Sequence, residues 1–507
     1  MENDMKYLIG CDFGGGASKA TLLREDGCVI AEASSEYETK YPHPGWAEQD
    51  PEDSLKAFLA NIRSLLEQTG IDASQVAALA LDGATHTAVL LDEKDEVIRP
   101  AIYWTDQRAV EEARELKENC GEEIERIAGN SPGALWTLPQ LIWLKQNEPE
   151  QFRKIRKILS MKDYVRYRLT GDYVTDSIEA WGFLLLDQHT GKWSEILCAL
   201  AGLDIAILPR IVRPEEILSP PKREICECCG LSPQTKVIAG ATDTVMEVYA
   251  SGAIHPGQAT VKLATAGRIC VITEHPMTDA NLVCYPHICP GLWYPGTATK
   301  SCAASFRWYR DVFGSYEKEH SADAYVAMAD AAARVEPGCE GLLFHPYLQG
   351  ELTPYQDETL RGSFTGIRSF HTKAHFNRAV LEGIAYSLKD CLNTFRKEGV
   401  SIQKAGIIGG GAKGALWRQI VADMLNIPLQ KAQKDDSSLG SAMLAGVACG
   451  VFRDYEESVE RCVRLDCMAL PDPENVKKYE EGFVWYKKVH DVLAEVYHER
   501  AQKAALE

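Results

Sequence analysis

The sequence contains no apolar run of the roughly 18–20 residues that a transmembrane helix needs. It also lacks an excess of basic residues: 54 Lys and Arg stand against 73 Asp and Glu, so the formal net charge is −19. A protein that binds duplex nucleic acid needs a basic surface to displace counterions, so this balance argues against nucleic acid as a partner. The chain meets Asp12 too early for the apolar core of a signal peptide. We therefore expect a cytoplasmic protein without a membrane or nucleic-acid partner.

The chain has no GxxxxGK[ST] phosphate loop, and its sixteen cysteines lack the two separated pairs that a structural zinc site needs. In a long chain without a secretory signal, scattered cysteines are typical of reduced, buried thiols. The composition is that of an ordinary globular protein, with 45% hydrophobic and 25% charged residues. The length of 507 residues predicts more than one domain, most simply two large ones.

Strands and helices alternate near the start of the chain. A strand leads to a glycine-rich bend, a second strand returns from it, and an Asp-Gly turn leads into a third. A helix follows, with Asp50 as its N-cap, Pro51 at its first position and apolar residues on one face. This alternation predicts an α/β fold. The predicted strands are 6–11, 19–23, 28–33 and 75–81.

The strand–bend–strand unit recurs past the midpoint of the chain. Strands are predicted over 260–263 and 268–273, with a bend of small residues between them, and a further strand over 404–408 leads into Gly409–Gly411. Two such units about 250 residues apart indicate two related domains, each with one turn that can cradle phosphate. We expect the domains to join near residues 245–255.

The first bend, DFGGGASK at 12–19, has residues suited to a nucleotide phosphate. Glycines let the backbone approach the phosphate closely, with N–H groups turned inward. A carboxylate at the end of the preceding strand, here Asp12, can hold a hydrated magnesium ion beside it. The alternative is a glycine-rich turn with no ligand, because such turns are common.

Longer strings then carry a family resemblance over nearly the whole chain. They include GSFTGI at 362–367 and, after seven intervening residues, HFNRAVLE at 375–382. Further strings are GWAEQDP at 45–51, RPAIYWTDQR at 99–108, GGGAKGALWRQ at 409–419 and SLGSA at 438–442. In order and spacing, they resemble the FGGY carbohydrate kinases, in particular the xylulose kinase-like branch. The resemblance implies two actin-like ATPase (ribonuclease H-like) domains around a central interdomain cleft. Residues 1–250 would form the sugar-binding side with the first phosphate turn, and residues 251–507 the nucleotide-binding side with terminal helices.

The same resemblance implies roles for individual residues. Asp243 falls on the family's catalytic base, although an Asp that caps the following helix is the alternative. Asp12 corresponds to the carboxylate near magnesium, and Arg108 supports the sugar-side wall. The implied sugar-binding residues are Thr85, His86, Trp104, Asp106 and Thr244. The implied nucleotide-binding residues are Gly14, Gly15, Gly16, Lys19, Thr265, Gly267, Gly410, Gly411 and Ala412.

Several positions depart from the family's pattern, some at the ATP site and some on the sugar side. Gly15 stands where Thr is usual, Ala264 where Gly is usual, and Gln140 where Lys is usual. Leu352 replaces a frequent Arg, and Thr244 replaces the Asn common in xylulose kinases. The changes on the sugar side leave the choice of sugar open among the family's substrates.

The resemblance implies phosphorylation of a sugar hydroxyl by ATP with Mg²⁺, most simply of D-xylulose to D-xylulose 5-phosphate. The alternatives within the family are another ketose, gluconate, or a polyol such as erythritol. The partners expected are the sugar, ATP and, in a homodimer, a second copy of the chain. Outside kinase chemistry, an actin-like ATPase or a sugar-sensing pseudo-kinase is the alternative. The presence of both Asp12 and Asp243 argues against the pseudo-kinase.

Overall fold

The computed structural model describes residues 5–277, 279 and 281–504, which form two compact units. Unit 1 takes in the described residues of Met1–Ile254, Cys284–Leu292 and Lys434–Arg464. Unit 2 takes in those of His255–Val283, Trp293–Gln433 and Leu465–Glu507. Each unit is thus assembled from three separate stretches of chain. The predicted domains, residues 1–250 and 251–507, are continuous ranges, whereas these units are discontinuous. The division at residue 250 therefore stays a prediction.

The strands fall into two sets, one for each unit. Those of unit 1 are β1 (Tyr7–Phe13), β2 (Ala17–Arg24), β3 (Val29–Glu36), β4 (Thr39–Lys40), β5 (Glu48–Gln49), β6 (Val76–Gly83), β7 (Ala88–Leu91), β8 (Ala101–Ile102), β9 (Lys157–Ser160), β10 (Val174–Asp176), β11 (Leu186–Asp187), β12 (Lys192–Trp193), β13 (Arg210–Val212) and β14 (Lys236–Thr242). Those of unit 2 are β15 (Gln258–Leu263), β16 (Gly267–Val271), β17 (Gly296–Thr299), β18 (Leu343–His345), β19 (Ser363–Thr365), β20 (Lys404–Ile408), β21 (Leu429–Ala432) and β22 (Leu465–Ala469).

The helices alternate with these strands, as an α/β fold requires. They are α1 (Pro51–Thr69), α2 (Val110–Ala128), α3 (Thr137–Asn147), α4 (Pro149–Phe152), α5 (Met161–Thr170), α6 (Glu195–Ala201), α7 (Arg223–Cys229), α8 (Asp243–Ala250), α9 (Ala303–Phe313), α10 (Ser315–His320), α11 (Ala324–Ala332), α12 (Lys373–Lys397), α13 (Ala415–Leu425), α14 (Ser437–Cys449), α15 (Tyr455–Cys462) and α16 (Pro473–Ala504). Of the helices in the described part of the chain, none has both the length and the apolar character to cross a membrane.

The main sheets of the two units share one topology, which confirms the predicted internal repeat. In unit 1 the strand order is β14-β6-β1-β2-β3, with β1, β6 and β14 parallel and β2 antiparallel to both its neighbours. In unit 2 the corresponding order is β21-β20-β15-β16-β17, with β15, β20 and β21 parallel and β16 antiparallel to both its neighbours. Strand β22 adds an antiparallel edge beside β21. In each sheet the central strand is the one that precedes a predicted phosphate bend.

Helix α1 forms where its local signals predict it. The Asp50 side chain accepts a hydrogen bond from the backbone N–H of Glu52 at 3.0 Å, and Pro51 occupies the first turn. Phe58 and Ile62 are fully buried in the core that covers one face of the unit 1 sheet. Burial of side chains of this size stabilises the fold by about 1.5–3 kcal/mol each. The apolar face thus fixes the helix against the sheet.

Helix α14 joins unit 1 although it lies almost 200 residues beyond β14 in sequence. It packs directly on β1, because Gly10 has no side chain: a Cβ there would overlap the carbonyl oxygen of Ser438. It also packs directly on α8, because a Cβ at Gly440 would overlap the carbonyl oxygen of Met246. Two glycines therefore allow the backbone contacts that bring the C-terminal stretch into this unit.

Candidate active site

Aspartates meet at the carboxyl ends of the parallel strands of unit 1. The β1–β6 register places Asp12 directly beside Asp82. Strand β14 pairs with β6 so that Thr242 lies beside Gly83, and α8 begins with Asp243 at the next residue. Because the ends of parallel strands share one edge of the sheet, these carboxylates lie close together. After burial, the charge of Asp243 raises the pKa of Asp12, and the charge of Asp12 raises the pKa of Asp82.

Burial and the charges of neighbouring carboxylates favour the protonated forms of Asp12 and Asp82. The pKa of Asp12 is raised to about 7, first by burial and then by the charge of Asp243, while its contact with the Asp82 carboxyl opposes the rise. Burial also raises the pKa of Asp82 well above its usual range, although Ser441 donates a hydrogen bond to its Oδ2 at 2.5 Å. Apart from the Asp82 carboxyl, the structure gives the buried Oδ1 of Asp12 no hydrogen-bond partner among the described residues. Such an oxygen is suited to a cation or its water shell.

Asp243 is the first residue of α8, and Thr242 occupies the N-cap position. Asp243 therefore lies in the first turn of the helix rather than at its N-cap position. The Thr244 hydroxyl donates to Oδ1 of Asp243 at 3.1 Å, so the residue that follows the predicted base orients its carboxylate. The helix dipole favours negative charge at this end of α8.

The first bend is held by side chains that take up its carbonyl oxygens. Tyr37 donates from its hydroxyl to the carbonyl of Gly14 at 2.7 Å, and Gln49 donates to the carbonyl of Gly15 at 3.1 Å. Gly16 is exposed, with no atoms within 4 Å of the place where a Cβ would lie. Lys19 lies opposite Asp12 in the register of β1 and β2, and it is exposed. The bend is thus fixed in shape and open to a ligand.

The predicted sugar-side residues Thr85 and His86 are both held by the short 3₁₀ helix Glu179–Phe183. Thr85 donates to Oε1 of Glu179 at 2.9 Å, and Nδ1 of His86 lies 2.9 Å from the carbonyl oxygen of Gly182. Burial raises the pKa of Glu179 well above its usual range. Trp104, predicted in the same wall, is 39% exposed and packs on Tyr103 at 5.9 Å between ring centres. The resulting surface has both hydroxyl and aromatic groups, the chemistry that carbohydrate sites use.

In unit 2 the second bend and the third glycine loop lie side by side. Strands β15 and β20 are parallel, so the bend after Leu263 and the loop after Ile408 share one edge of the sheet. The carbonyl oxygen of exposed Thr265 accepts the backbone N–H of Cys302 at 3.0 Å, just before α9 begins. Gly267 donates to Thr299 at 3.2 Å.

The third glycine loop is tight on one side and open on the other. A Cβ at Gly411 would lie 2.8 Å from the Cβ of Leu263, and Gly409 has a φ of 88°, so glycine is needed at both positions. Gly410 is exposed with open space where its Cβ would be, whereas Ala412 is fully buried. A flat group can therefore approach the backbone at Gly410 without a steric conflict.

Two family models match the chain in succession. The model described as "FGGY family of carbohydrate kinases, N-terminal domain" matches residues 7–249, and its C-terminal counterpart matches residues 262–449. The chain belongs to the FGGY family of carbohydrate kinases. This FGGY kinase is therefore a sugar phosphotransferase that uses ATP, and its two units have the actin-like ATPase fold of the family.

Individual relatives extend over almost the full length of this FGGY kinase. The xylulose kinase of Bacillus subtilis (strain 168) is 32% identical over 489 residues, which are 96% of this chain and 97% of that protein. Ligand-bound xylulose kinase from Lactobacillus acidophilus superposes with a TM-score of 0.90 at 28% identity and covers 97% of this chain and 99% of its own. Gluconate kinase from the same organism gives 0.90 at 28%, with 98% and 99% covered.

Asp106 of this FGGY kinase forms a buried ion pair with Arg108 within unit 1. Its Oδ1 accepts from the backbone N–H and Nε of Arg108 at 2.8 and 2.9 Å, and its Oδ2 accepts from Ala47 N–H at 2.6 Å and from Nη2 of Arg108 at 2.7 Å. The guanidinium also pairs with Glu48 at 2.9 Å and lies over the Trp46 ring at 3.7 Å. Direct sugar contact by Asp106 stays a prediction, whereas its hold on the chain around Trp104 is visible in the structure.

Replacing Arg108 by Ala is expected to lower the free energy of unfolding by about 3–5 kcal/mol, because it leaves the buried carboxylate of Asp106 unpaired. Arg114→Ala on α2 is the matched control, since Arg114 pairs with two exposed glutamates and its loss should cost no more than about 1 kcal/mol. Urea denaturation of both variants measures the difference. Equal losses would show that the buried pair contributes nothing beyond a surface ion pair.

Proposed function

We propose that this FGGY kinase transfers the γ-phosphoryl group of ATP to a hydroxyl of D-xylulose and so produces D-xylulose 5-phosphate. The observation that carries the proposal is the 32% identity with the xylulose kinase of Bacillus subtilis over 96% of this chain. The site residues carried over from the family match supply the parts that such a reaction needs.

Asp243 is the proposed general base. A sugar hydroxyl is a poor nucleophile at neutral pH, and a carboxylate within reach can accept its proton as the bond to phosphorus forms. Thr244 orients the carboxylate through its hydrogen bond to Oδ1. Phosphoryl transfer needs little covalent help from a protein beyond such positioning and charge stabilisation, so this geometry supports the assignment.

Asp12 is the residue that we propose to hold Mg²⁺, with Asp82 beside it. Its Oδ1 is buried, and burial together with the charge of Asp243 raises its pKa to about 7; both features fit a hydrated divalent cation, whose charge would replace the proton. When bound, the ion supplies positive charge to the phosphate oxygens of ATP. Asp12 then orients the ion's water shell, and Asp82 remains the buried partner that fixes the Asp12 side chain.

The glycine loops are the proposed contacts for ATP. Gly14–Gly16 and Lys19 would meet phosphate oxygens, since that bend is open and carries an exposed lysine. Thr265 and Gly267 form the equivalent bend of unit 2. Gly410, Gly411 and Ala412 would lie under the nucleoside, where open space at Gly410 admits a flat ring.

D-gluconate is the second candidate substrate. Gluconate kinase from Lactobacillus acidophilus has the same TM-score and identity to this chain as the xylulose kinase of that organism. The departure at Thr244, next to the proposed base, also separates this chain from the xylulose kinase pattern. Similarity to these two solved structures therefore does not separate the two substrates, and the distinction depends on a few side chains.

A substrate panel tests the proposal. With purified protein, MgATP and D-xylulose, D-gluconate or erythritol, ADP release should give a kcat/KM for D-xylulose at least about 100-fold above the others, because a site built to hydrogen-bond hydroxyls penalises mismatched analogues. A control without sugar measures background ATP hydrolysis. Preference for D-gluconate or erythritol would contradict the proposal and leave the family membership intact.

A further inference from the structure

A short stretch from the C-terminal half of the chain brings Tyr285 into unit 1. The stretch Cys284–Leu292 belongs to that unit, and buried Asn130 holds it by two hydrogen bonds. Asn130 donates from Nδ2 to the carbonyl of Cys284 at 3.2 Å and accepts from the N–H of Cys284 at 3.1 Å. Because both backbone groups of the preceding residue are fixed, the Tyr285 ring has a defined direction.

The Tyr285 hydroxyl lies 3.0 Å from Nε2 of His86, and the other ring nitrogen of His86 lies 2.9 Å from the carbonyl oxygen of Gly182. A carbonyl oxygen can only accept, so Nδ1 of His86 carries the hydrogen. In the neutral ring Nε2 must then be an acceptor, which makes the Tyr285 hydroxyl the donor. The phenolic hydrogen is thereby directed to His86.

Aromatic packing keeps this arrangement rigid. Tyr285 stacks on Trp136 with 6.1 Å between ring centres and 18° between planes, and His86 meets Trp136 edge-on at 4.5 Å. All three rings are at least nine-tenths buried. His86 has a φ of 63°, an uncommon conformation for a non-glycine residue, and the structure holds it there through both ring nitrogens.

We propose that Tyr285 is a specificity-determining residue of the carbohydrate site and that its hydroxyl oxygen accepts a hydrogen bond from a hydroxyl group of the sugar. The proposal rests on the proposed function, because it takes Thr85 and His86 as part of the sugar site. Since its hydrogen is directed to His86, the oxygen presents only lone pairs to a ligand. The Tyr285 oxygen therefore favours a neutral hydroxyl group over a carboxylate at that position. A ketose or polyol offers such a hydroxyl, whereas an aldonate such as D-gluconate carries a carboxylate.

Tyr285→Phe tests the inference, because it keeps the stacked ring and removes only the hydroxyl. We expect kcat/KM for the best sugar to fall about 5–100-fold, since a lost buried hydrogen bond leaves a polar group unpaired, while the KM for ATP changes less than about twofold. The advantage of that sugar over D-gluconate should shrink. Tyr173→Phe is the matched control in unit 1: the Tyr173 hydroxyl bonds only backbone groups of Ile158 and Ile207, so the variant should lose stability and keep the sugar preference.

Two results would overturn the inference. One is a Tyr285→Phe variant whose sugar preference and kcat/KM match those of the unaltered protein. The other is ¹⁵N NMR of the His86 ring that shows hydrogen on Nε2 rather than Nδ1, a measurement that needs no variant. The proposed function fails separately: if the unaltered protein prefers D-gluconate, that alone rejects D-xylulose, and the effect of Tyr285→Phe is then measured on the sugar that is used.

Discussion

Asp243→Asn is expected to lower kcat by roughly 10²–10⁴-fold, the contribution typical of a well-placed general base. Asn has nearly the same volume as Asp and can keep the hydrogen bond from Thr244, so the start of α8 should remain intact. What it cannot do is accept the proton of the attacking hydroxyl. The variant should therefore melt near the temperature of the unaltered protein and still be stabilised by sugar and by ATP, while ADP release almost stops.

Asp53→Asn is the matched control for this loss. Asp53 lies in the first turn of α1 and pairs with exposed Lys56, and like Asp243 it is a carboxylate near the N-terminus of a helix. Its replacement removes a carboxylate from a helix N-terminus without touching the acidic cluster, so activity should stay within about twofold of normal. A kcat near normal in Asp243→Asn would reject the base assignment.

The elements that the sequence predicted are those with local signals. Asp50 and Pro51 mark the start of α1, and the strand–bend–strand pattern repeats in both sheets. Capping, turn chemistry and hydrophobic periodicity act over a few residues, so they can be recognised without knowledge of the fold. The family strings added the candidate site residues Asp12 and Asp243, whose roles stay predictions.

The assembly of unit 1 could not be predicted in this way. The placement of α14 on β1 depends on Gly10 and Ser438, which are more than 400 residues apart. Tyr285 was missed for the same reason: its environment is created by Asn130 and His86, and nothing in its own neighbourhood in sequence indicates a site. For the placement of α14, the sequence offered one signal, the small residues of SLGSA, because Gly and Ser within a helix often permit close backbone contact.

One departure from the family pattern has a steric explanation in the structure. The family usually has Thr at position 15, whereas a Cβ on Gly15 would lie 2.8 Å from the hydroxyl of Tyr103. Tyr103 is buried beside the first bend, and burial raises its pKa. The tyrosine thus fills the space that a longer side chain at position 15 would need, so the glycine reflects packing inside unit 1.

Asp12→Asn is expected to raise the Mg²⁺ concentration for half-maximal turnover by about 10–100-fold, the range seen when the residues that orient a metal's shell are lost. The KM for sugar should change little, because the sugar-side residues Thr85 and His86 are held by Glu179 and Gly182 rather than by Asp12. Asp26→Asn is the control, since Asp26 pairs with Arg24 at the surface of the same sheet. Turnover is measured across a Mg²⁺ titration at constant ATP.

The same variant should change the pH dependence of stability in the metal-free protein. Native Asp12 keeps its proton up to about pH 7, whereas in the unfolded chain its carboxyl ionises near 3.8. Between these values the native state binds more protons than the unfolded state, so the free energy of unfolding falls as pH rises. Asp12→Asn removes this fall in the free energy of unfolding, because Asn does not ionise. In EDTA the variant should melt at a higher temperature than the unaltered protein at pH 8, and the difference should narrow towards pH 5.

Magnesium should reverse the difference, because the cation replaces the proton on Asp12 and binds only the unaltered protein well. At pH 8 we expect added Mg²⁺ to raise the melting temperature of the unaltered protein more than that of Asp12→Asn. At pH 6 the rise should be smaller, since the ion must then displace a proton that is held with a pKa of about 7. Equal Mg²⁺ responses in the two proteins at pH 8 would place the metal elsewhere and leave Asp12 as a buried acid of the sheet edge.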